Sequence, residues 1–231
     1  MNKELGFVKE MFDKIAPRYD FLNRLLSLRQ DIFWRTQMVR AARLEKGCRI
    51  LDVACGTCDV ALAAHSRLKG KTLVTGVDFS LGMLGLGKAK ISHKKQISLV
   101  NGDALCLSFK PNVFDAVFIA FGIRNIMDRQ KALEEFHAVL KPGGRLAVLE
   151  LTTPQKGLLK TAYLAYFQKI LPVIGSFFSK DSHAYSYLPA SVLRFPGPRQ
   201  FASIMKTSGF RDVRFKSMTL GIVTLFVGTK G

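Results

Sequence analysis

The chain has 231 residues, enough for one large domain whose core needs neither disulfides nor a structural metal. Hydrophobic residues make up 48% and charged residues 23%, which excludes intrinsic disorder as the main description. Lys and Arg number 35 against 17 Asp and Glu, a net charge of +18 that favours anionic partners, either nucleic acid or an anionic bilayer face, or serves solubility alone.

Residues 1–44 read as an N-terminal helical region. Its first ten residues carry acids and no apolar stretch, so no secretory signal is expected there. From Lys46 onward, apolar runs alternate with helical patterns. Arg49–Ala54 is a short buried strand, and Val60–Arg67 a helix with Asp59 as its expected N-cap. Lys71–Asp78 is a second strand, Leu81–Ile91 a helix capped by Ser80, and Ile97–Asn101 a third strand. Asp115–Ala120 is a fourth strand and Asp128–Leu140 a helix broken by Lys141-Pro-Gly-Gly144. Arg145–Glu150 is a fifth strand. This alternation predicts an α/β fold with a parallel sheet and helices on both faces.

The pattern then changes. Leu158–Leu171 is an apolar helix-like run ended by Pro172, and 172–197 reads as loop. Residues 151–197 are therefore expected as a cap inserted within a single domain. Arg199–Ser208 is a helix closed by Gly209. Asp212–Leu220 and Ile222–Thr229 are two strands joined at Gly221, so the chain is expected to end in a β-hairpin. No run of about 18 uninterrupted apolar residues occurs, so no transmembrane helix is expected.

The chemistry is expected at the carboxyl ends of the parallel strands. The first strand runs into Asp52-Val-Ala-Cys-Gly-Thr-Cys-Asp59, in which Gly56 is the only glycine. A dinucleotide fingerprint needs several glycines and a P-loop needs Gly-Lys-Ser/Thr, so NAD-dependent chemistry and nucleoside triphosphates are disfavoured. Asp52, Asp78 and Asp103 follow three successive strands. Three such acids suit a nucleoside with a free ribose diol, an amino group and no phosphate, and S-adenosylmethionine has that chemistry. Cys48, Cys55, Cys58 and Cys106 are few for the length, as in a reducing compartment. Cys55-x-x-Cys58 lacks the second pair that a zinc site requires, and a redox dithiol is the other reading of that pair.

Four stretches resemble the ubiquinone/menaquinone biosynthesis C-methyltransferases, the UbiE type of class I S-adenosylmethionine-dependent methyltransferase. They are Met11–Asn23 with Trp34-Arg35; the loop around Asp52; Phe121-Gly-Ile-Arg-Asn125 with Val139–Gly144; and Tyr187-Leu188, Phe195-Pro196, Gly209-Phe210 and Gly221-Ile222. The resemblance implies a Rossmann-like sheet of seven strands and methyl transfer to a ring carbon of a prenylated quinol, with demethylmenaquinol to menaquinol the leading case. It implies that Asp52, Gly56, Thr57, Asp78, Asp103 and Ala104 contact the cofactor and that Arg124, Asn125 and Tyr19 face the acceptor. Arg124 would stabilise a phenolate-like charge, and no metal is expected because sulfonium is already an activated donor. His183, Tyr19 or a carboxylate acting through water would take the proton.

The chain departs from the family pattern at four positions. Cys58 replaces a glycine and is expected to crowd the cofactor loop, while Asp31, Ala190 and Phe226 replace His, Glu and His. Methylation of RNA or another small molecule, and a non-catalytic relative that has lost the cofactor, are the rival readings. Nucleic acid is disfavoured because no RNA-binding signature is present. The expected setting is cytoplasmic, on the inner membrane face, with Leu158–Phe178 against the bilayer and Lys160 and Lys169 snorkelling to headgroups. A homo-oligomer is also compatible with the sequence.

Overall fold

A computed structural model describes residues 3–154, 157–165 and 182–231. A helical hairpin, α1 (Lys3–Leu26) and α2 (Gln30–Ala41), precedes the alternating units. These are β1 (Arg49–Val53), α3 (Asp59–Arg67), β2 (Leu73–Asp78), α4 (Leu81–Lys90), β3 (Ile97–Asn101), β4 (Phe114–Ala120), a 3-10 turn (Ile123–Asn125), α5 (Arg129–Val139) and β5 (Leu140–Leu151). There follow α6 (Gly157–Ala165), α7 (Ser182–Arg194), α8 (Pro198–Thr207), β6 (Phe210–Met218) and β7 (Val223–Lys230).

The seven strands form one sheet in the order β3-β2-β1-β4-β5-β7-β6. The first five are parallel, and β7 runs antiparallel between β5 and β6. The closing hairpin is as expected, but its second strand, not its first, pairs with β5. The strand order reverses between β1 and β4, which opens a crevice at their carboxyl ends.

Alternate residues of each strand serve opposite faces. Ile50, Phe118 and Leu149 pack under α2 and α3 with Trp34, Met38, Ala61 and Ala64. Leu51, Ile119 and Val148 pack under α5 and α8 with Leu133, Phe136, Phe201 and Met205. Phe226 belongs to this second layer, fully buried, its ring 4.8 Å from that of Phe201. It is core, and Ala190 is exposed.

Three local expectations change. Residues 182–194 are helix, not loop, although the run contains Pro189. Asp59 is the first residue of α3 and not its cap; the cap position is Cys58, in left-handed conformation and without a side-chain bond. The Lys141-Pro-Gly-Gly144 segment ends α5 but is continuous with β5. Ser80 caps α4 as expected, its hydroxyl accepting from Met83 N–H at 3.0 Å. Residues 166–181, with Lys169, Phe177 and Phe178, lie outside the described residues.

Phe226→Ala would remove a fully buried ring and cost about 3–5 kcal/mol of unfolding free energy. Denaturant unfolding checks this; an unchanged midpoint would contradict the packing described.

Candidate active site: two cavities sharing a wall

The loop after β1 alternates in handedness, with Ala54 (φ 51°), Gly56 (φ 52°) and Cys58 (φ 70°) all left-handed. The turn swings the backbone across the end of β2, where Gly56 N–H donates to Asp78 Oδ2 at 2.8 Å. Ser80 N–H donates to the other oxygen of Asp78 at 2.9 Å. Burial pushes the Asp78 carboxyl up, against these backbone donors.

Gly56, Asp78, Asp103 and Ala104 line one cavity together with Val77, Met83 and Asn125. Its carboxylates suit a ribose diol, and its apolar side chains suit an adenine ring. Asp103 is held in place by its own turn, accepting from Leu105 N–H at 2.9 Å. The volume is about 140 Å³. That is below the roughly 300–1,000 Å³ of ordinary small-molecule sites. The reason is α1, which lays Val8, Phe12 and Tyr19 against the cavity. The helix is pinned there by Asp13, which accepts from Ser80 and Gly82, and by Asp20, which accepts from Thr57 Oγ1 at 2.6 Å.

Asp52 and Thr57 do not line the cavity. Thr57 is buried between Asp20 and Lys90. Asp52 is buried beneath the loop, where it accepts from Ala61 N–H at 3.1 Å. Burial raises the Asp52 carboxyl to about 8. Cys58 does not crowd the cavity either: it is fully buried, directed at α4. A Cβ at Gly87 would stand 2.5 Å from its sulfur, so glycine at 87 makes the room. The hydrogen bond with Cys58, and then burial, push the Cys55 thiol well above its usual range, which opposes the thiolate a redox dithiol needs.

The second cavity is larger, about 770 Å³, and mostly apolar. Leu22, Leu25, Leu26, Trp34, Leu151 and Ile222 form much of its wall. Tyr163 of α6 and Tyr187 of α7 close it from the segment expected as a cap. Phe12, Tyr19 and Phe121 line both cavities, so the two spaces share a wall of aromatic rings. Arg124 lines the apolar cavity and Asn125 the polar one. Tyr187 hydroxyl donates to Asn125 Oδ1 at 3.2 Å, which ties α7 to the wall of the polar cavity. The described side chains do not include His183.

Arg124 is not a free cation. Its Nη1 lies 2.8 Å from Glu150 Oε1, and its backbone N–H donates to Glu150 Oε2 at 3.1 Å. Glu150 is fully buried, and sequence reading missed it. The Nε–H of Arg124 is buried and has no partner among the described residues. An orphaned donor in an apolar wall is a costly feature that an anionic ligand atom would satisfy.

Sequence reading also missed a network beneath the shared wall. Asp59 lies 2.9 Å from Lys90, 3.1 Å from Arg24 and 3.7 Å from Arg35; Asp31 pairs with Arg24 and Arg35, and Asp20 with Lys90. Burial works to raise the Asp59 carboxyl, but Arg35, Lys90 and Arg24 outweigh it and hold it below the usual range. Asp31 thus lines the apolar cavity as a paired carboxylate.

The ubiE/COQ5 methyltransferase family model matches residues 1–230. A ubiquinone/menaquinone biosynthesis C-methyltransferase UbiE of Geobacter sulfurreducens is 46% identical over 227 residues, covering 97% of this chain and 88% of that one. A demethylmenaquinone methyltransferase of Thermus thermophilus is 44% identical over 221 residues, covering 95% and 100%. Among solved structures, a methyltransferase from Thermotoga maritima described as a possible histamine N-methyltransferase matches with TM-score 0.67 at 20% identity, covering 96% and 99%. The [4+2]-cyclase SpnF matches with TM-score 0.73 at 16% identity, covering 96% and 95%. At such identities these two structures show the fold alone.

Because native Asp52 holds its proton up to about pH 8 and an unfolded aspartate loses it near 4, folding takes up a proton between these values. Stability therefore falls as pH rises through that window, and Asp78 adds the same sign. Asp52→Asn is expected to make the decline of the unfolding midpoint between pH 5 and pH 8 shallower. An unchanged slope would show that Asp52 is ionised in the native protein.

Proposed function

The chain belongs to the ubiE/COQ5 methyltransferase family, and from that premise we propose that it transfers a methyl group from S-adenosylmethionine to a ring carbon of a prenylated quinol. The leading acceptor is demethylmenaquinol, giving menaquinol, as the names of its relatives suggest. The observation that carries this reading is the pair of cavities: a carboxylate-bearing one and a large apolar one, with Phe12, Tyr19 and Phe121 lining both. A nucleoside suits the first, a ring with an isoprenoid tail suits the second, and the reacting atoms would meet at Phe12, Tyr19 and Phe121.

The donor set fits the cofactor. Asp78 and Asp103 would hold hydroxyl and amino hydrogens, Gly56 gives close backbone approach, and Ala104, Met83 and Ile126 would flank the base. Once bound, it supplies a methyl group already activated by sulfonium. The chain's own task is then alignment, exclusion of water and management of charge on the acceptor. A quinol becomes a carbon nucleophile as its hydroxyl loses a proton and negative charge spreads into the ring. The guanidinium of Arg124, in the wall of the apolar cavity, would stabilise that developing oxyanion. Glu150 fixes the guanidinium by taking Nη1 and the backbone N–H of Arg124. Asn125, oriented by Tyr187, orders the ring edge on the cofactor side. Tyr19, present in both walls, is placed to hydrogen-bond the quinol hydroxyl, whose proton passes to water. After the methyl–carbon bond forms, the ring proton leaves to water and aromaticity returns, so one proton is released per methyl group transferred.

Among the described residues no helix is long and apolar enough to cross a membrane. A substrate dissolved in lipid then has to be taken up from the bilayer face, and we place the protein there as a peripheral visitor.

The test is transfer of isotope-labelled methyl from S-adenosylmethionine to demethylated prenyl naphthoquinol and benzoquinol, kept reduced. Methylation of the reduced ring and none of the oxidised quinone is expected. Asp78→Ala should raise the cofactor KM by roughly tenfold or more, the loss of about one charge-assisted bond. Arg124→Gln should lower kcat by about 10²-fold or more. Saturable cofactor binding with no transfer to either quinol would overturn the reading.

A further inference from the structure

Two leucines occupy backbone conformations that ordinarily fall to glycine or asparagine. Leu28 lies in the α1–α2 turn at φ 50°, and Leu220 in the turn before β7 at φ 59°. Both side chains are also turned to solvent, 80% and 73% exposed. Each position thus combines an unfavourable backbone with an unfavourable exposure.

The two turns are neighbours. Trp34 Nε1–H donates to Thr219 Oγ1 at 2.8 Å, and Thr219 Oγ1 donates to Gln30 Oε1 at 2.6 Å. Leu28, Gln30, Thr219 and Ile222 all line the apolar cavity, so the stitched turns border it. Phe21 and Leu25 are exposed as well, at helical spacing from Leu28, so the stripe continues along α1. Charge around it is one-sided. Arg18 and Arg29 are exposed on the same hairpin. Its nearby acids, Asp20 and Asp31, are taken up in ion pairs with Lys90, Arg24 and Arg35.

We propose that the α1–α2 turn and the Thr219–Gly221 turn form the docking surface of this protein for an anionic phospholipid bilayer, with Leu28 and Leu220 inserted among the acyl chains beside the cavity. The inference rests on the prenylated-quinol reading for its purpose: a tail passes from lipid into the cavity without crossing water. It differs from the surface expected from sequence, Leu158–Phe178. The occupant is a bilayer because exposed apolar side chains with flanking arginines, on a chain of net charge +18, match acyl chains beneath anionic headgroups.

The experiment is sedimentation of the full chain with vesicles of phosphatidylcholine, alone or with phosphatidylglycerol, with no quinol or cofactor present. Binding to the anionic vesicles is expected. Leu28→Asp combined with Leu220→Asp should lower the partition coefficient by roughly tenfold or more. Leu28→Gly with Leu220→Gly separates docking from folding. It should raise the unfolding midpoint by relieving left-handed strain and still weaken vesicle binding. The inference is overturned if the parent stays in the supernatant, or if both double variants sediment as the parent does. It is overturned too if the parent is a dimer that the aspartates dissociate while vesicle binding persists, since the surface would then bind a second copy. Cofactor titration of the same samples keeps the two readings apart. A parent that sediments without binding S-adenosylmethionine contradicts the methyltransferase reading and leaves the docking surface standing.

Discussion

The cluster of Asp20, Asp31 and Asp59 with Arg24, Arg35 and Lys90 is the constraint on which the site depends. Its members come from α1, α2, α3 and α4, so it fastens the helical hairpin to the first two helices of the sheet layer. Asp31 and Arg35 are its buried members, and removing one of them strands the other's charge, which costs far more than the pair itself contributes. The network therefore works as a register device: α1 is held where Asp20 and Arg24 meet their partners. That position puts Phe12 and Tyr19 into the wall between the cavities. A parallel sheet alone would offer an open crevice; the pinned hairpin divides it into a polar and an apolar space.

The same logic governs Arg124. A lone guanidinium in an apolar wall would be expensive, and a fully satisfied one would have nothing to give. Glu150 resolves this by neutralising one end and leaving Nε–H bare. The Arg124–Glu150 pair is thus close to neutral overall, and on the proposed reading the guanidinium answers charge only as it develops on the ring. Tyr187 extends the coupling, since its hydroxyl reaches Asn125 from the segment that closes the apolar cavity.

Much of this is legible in the sequence because it is local. The alternation of buried strands and helices follows from short apolar runs and their caps. Asp78 and Asp103 are legible because each stands at a strand end, two positions the topology sends to the same crevice. What escapes a sequence reading is long-range or locally contradictory. Asp20 and Thr57 meet across 37 residues, and no spacing rule links them. Asp59 reads as a cap from sequence, yet the electrostatic pull of Arg24, Arg35 and Lys90 takes its side chain instead. Glu150 sits in an alternating apolar strand as if facing water, and Arg124 brings it inside. Pro189 argues against a helix at 182–194, yet buried Pro189, Ser191 and Val192 hold one there by tertiary packing. Cys58 reads as an obstacle because its partner, Gly87, lies on another helix.

On the proposed reading the apolar cavity takes a quinone ring beside the cofactor space, and the chain carries its own reporter. Trp34 is the only tryptophan, it lines that cavity, and its ring centre is 6.1 Å from Phe121 in the shared wall. Quinones quench indole emission on close approach. Titration with a demethylated prenyl naphthoquinone should quench Trp34 saturably, with S-adenosylhomocysteine changing the affinity for the quinone. Emission that falls only linearly, as for collisions in solution, and is indifferent to S-adenosylhomocysteine would contradict the account.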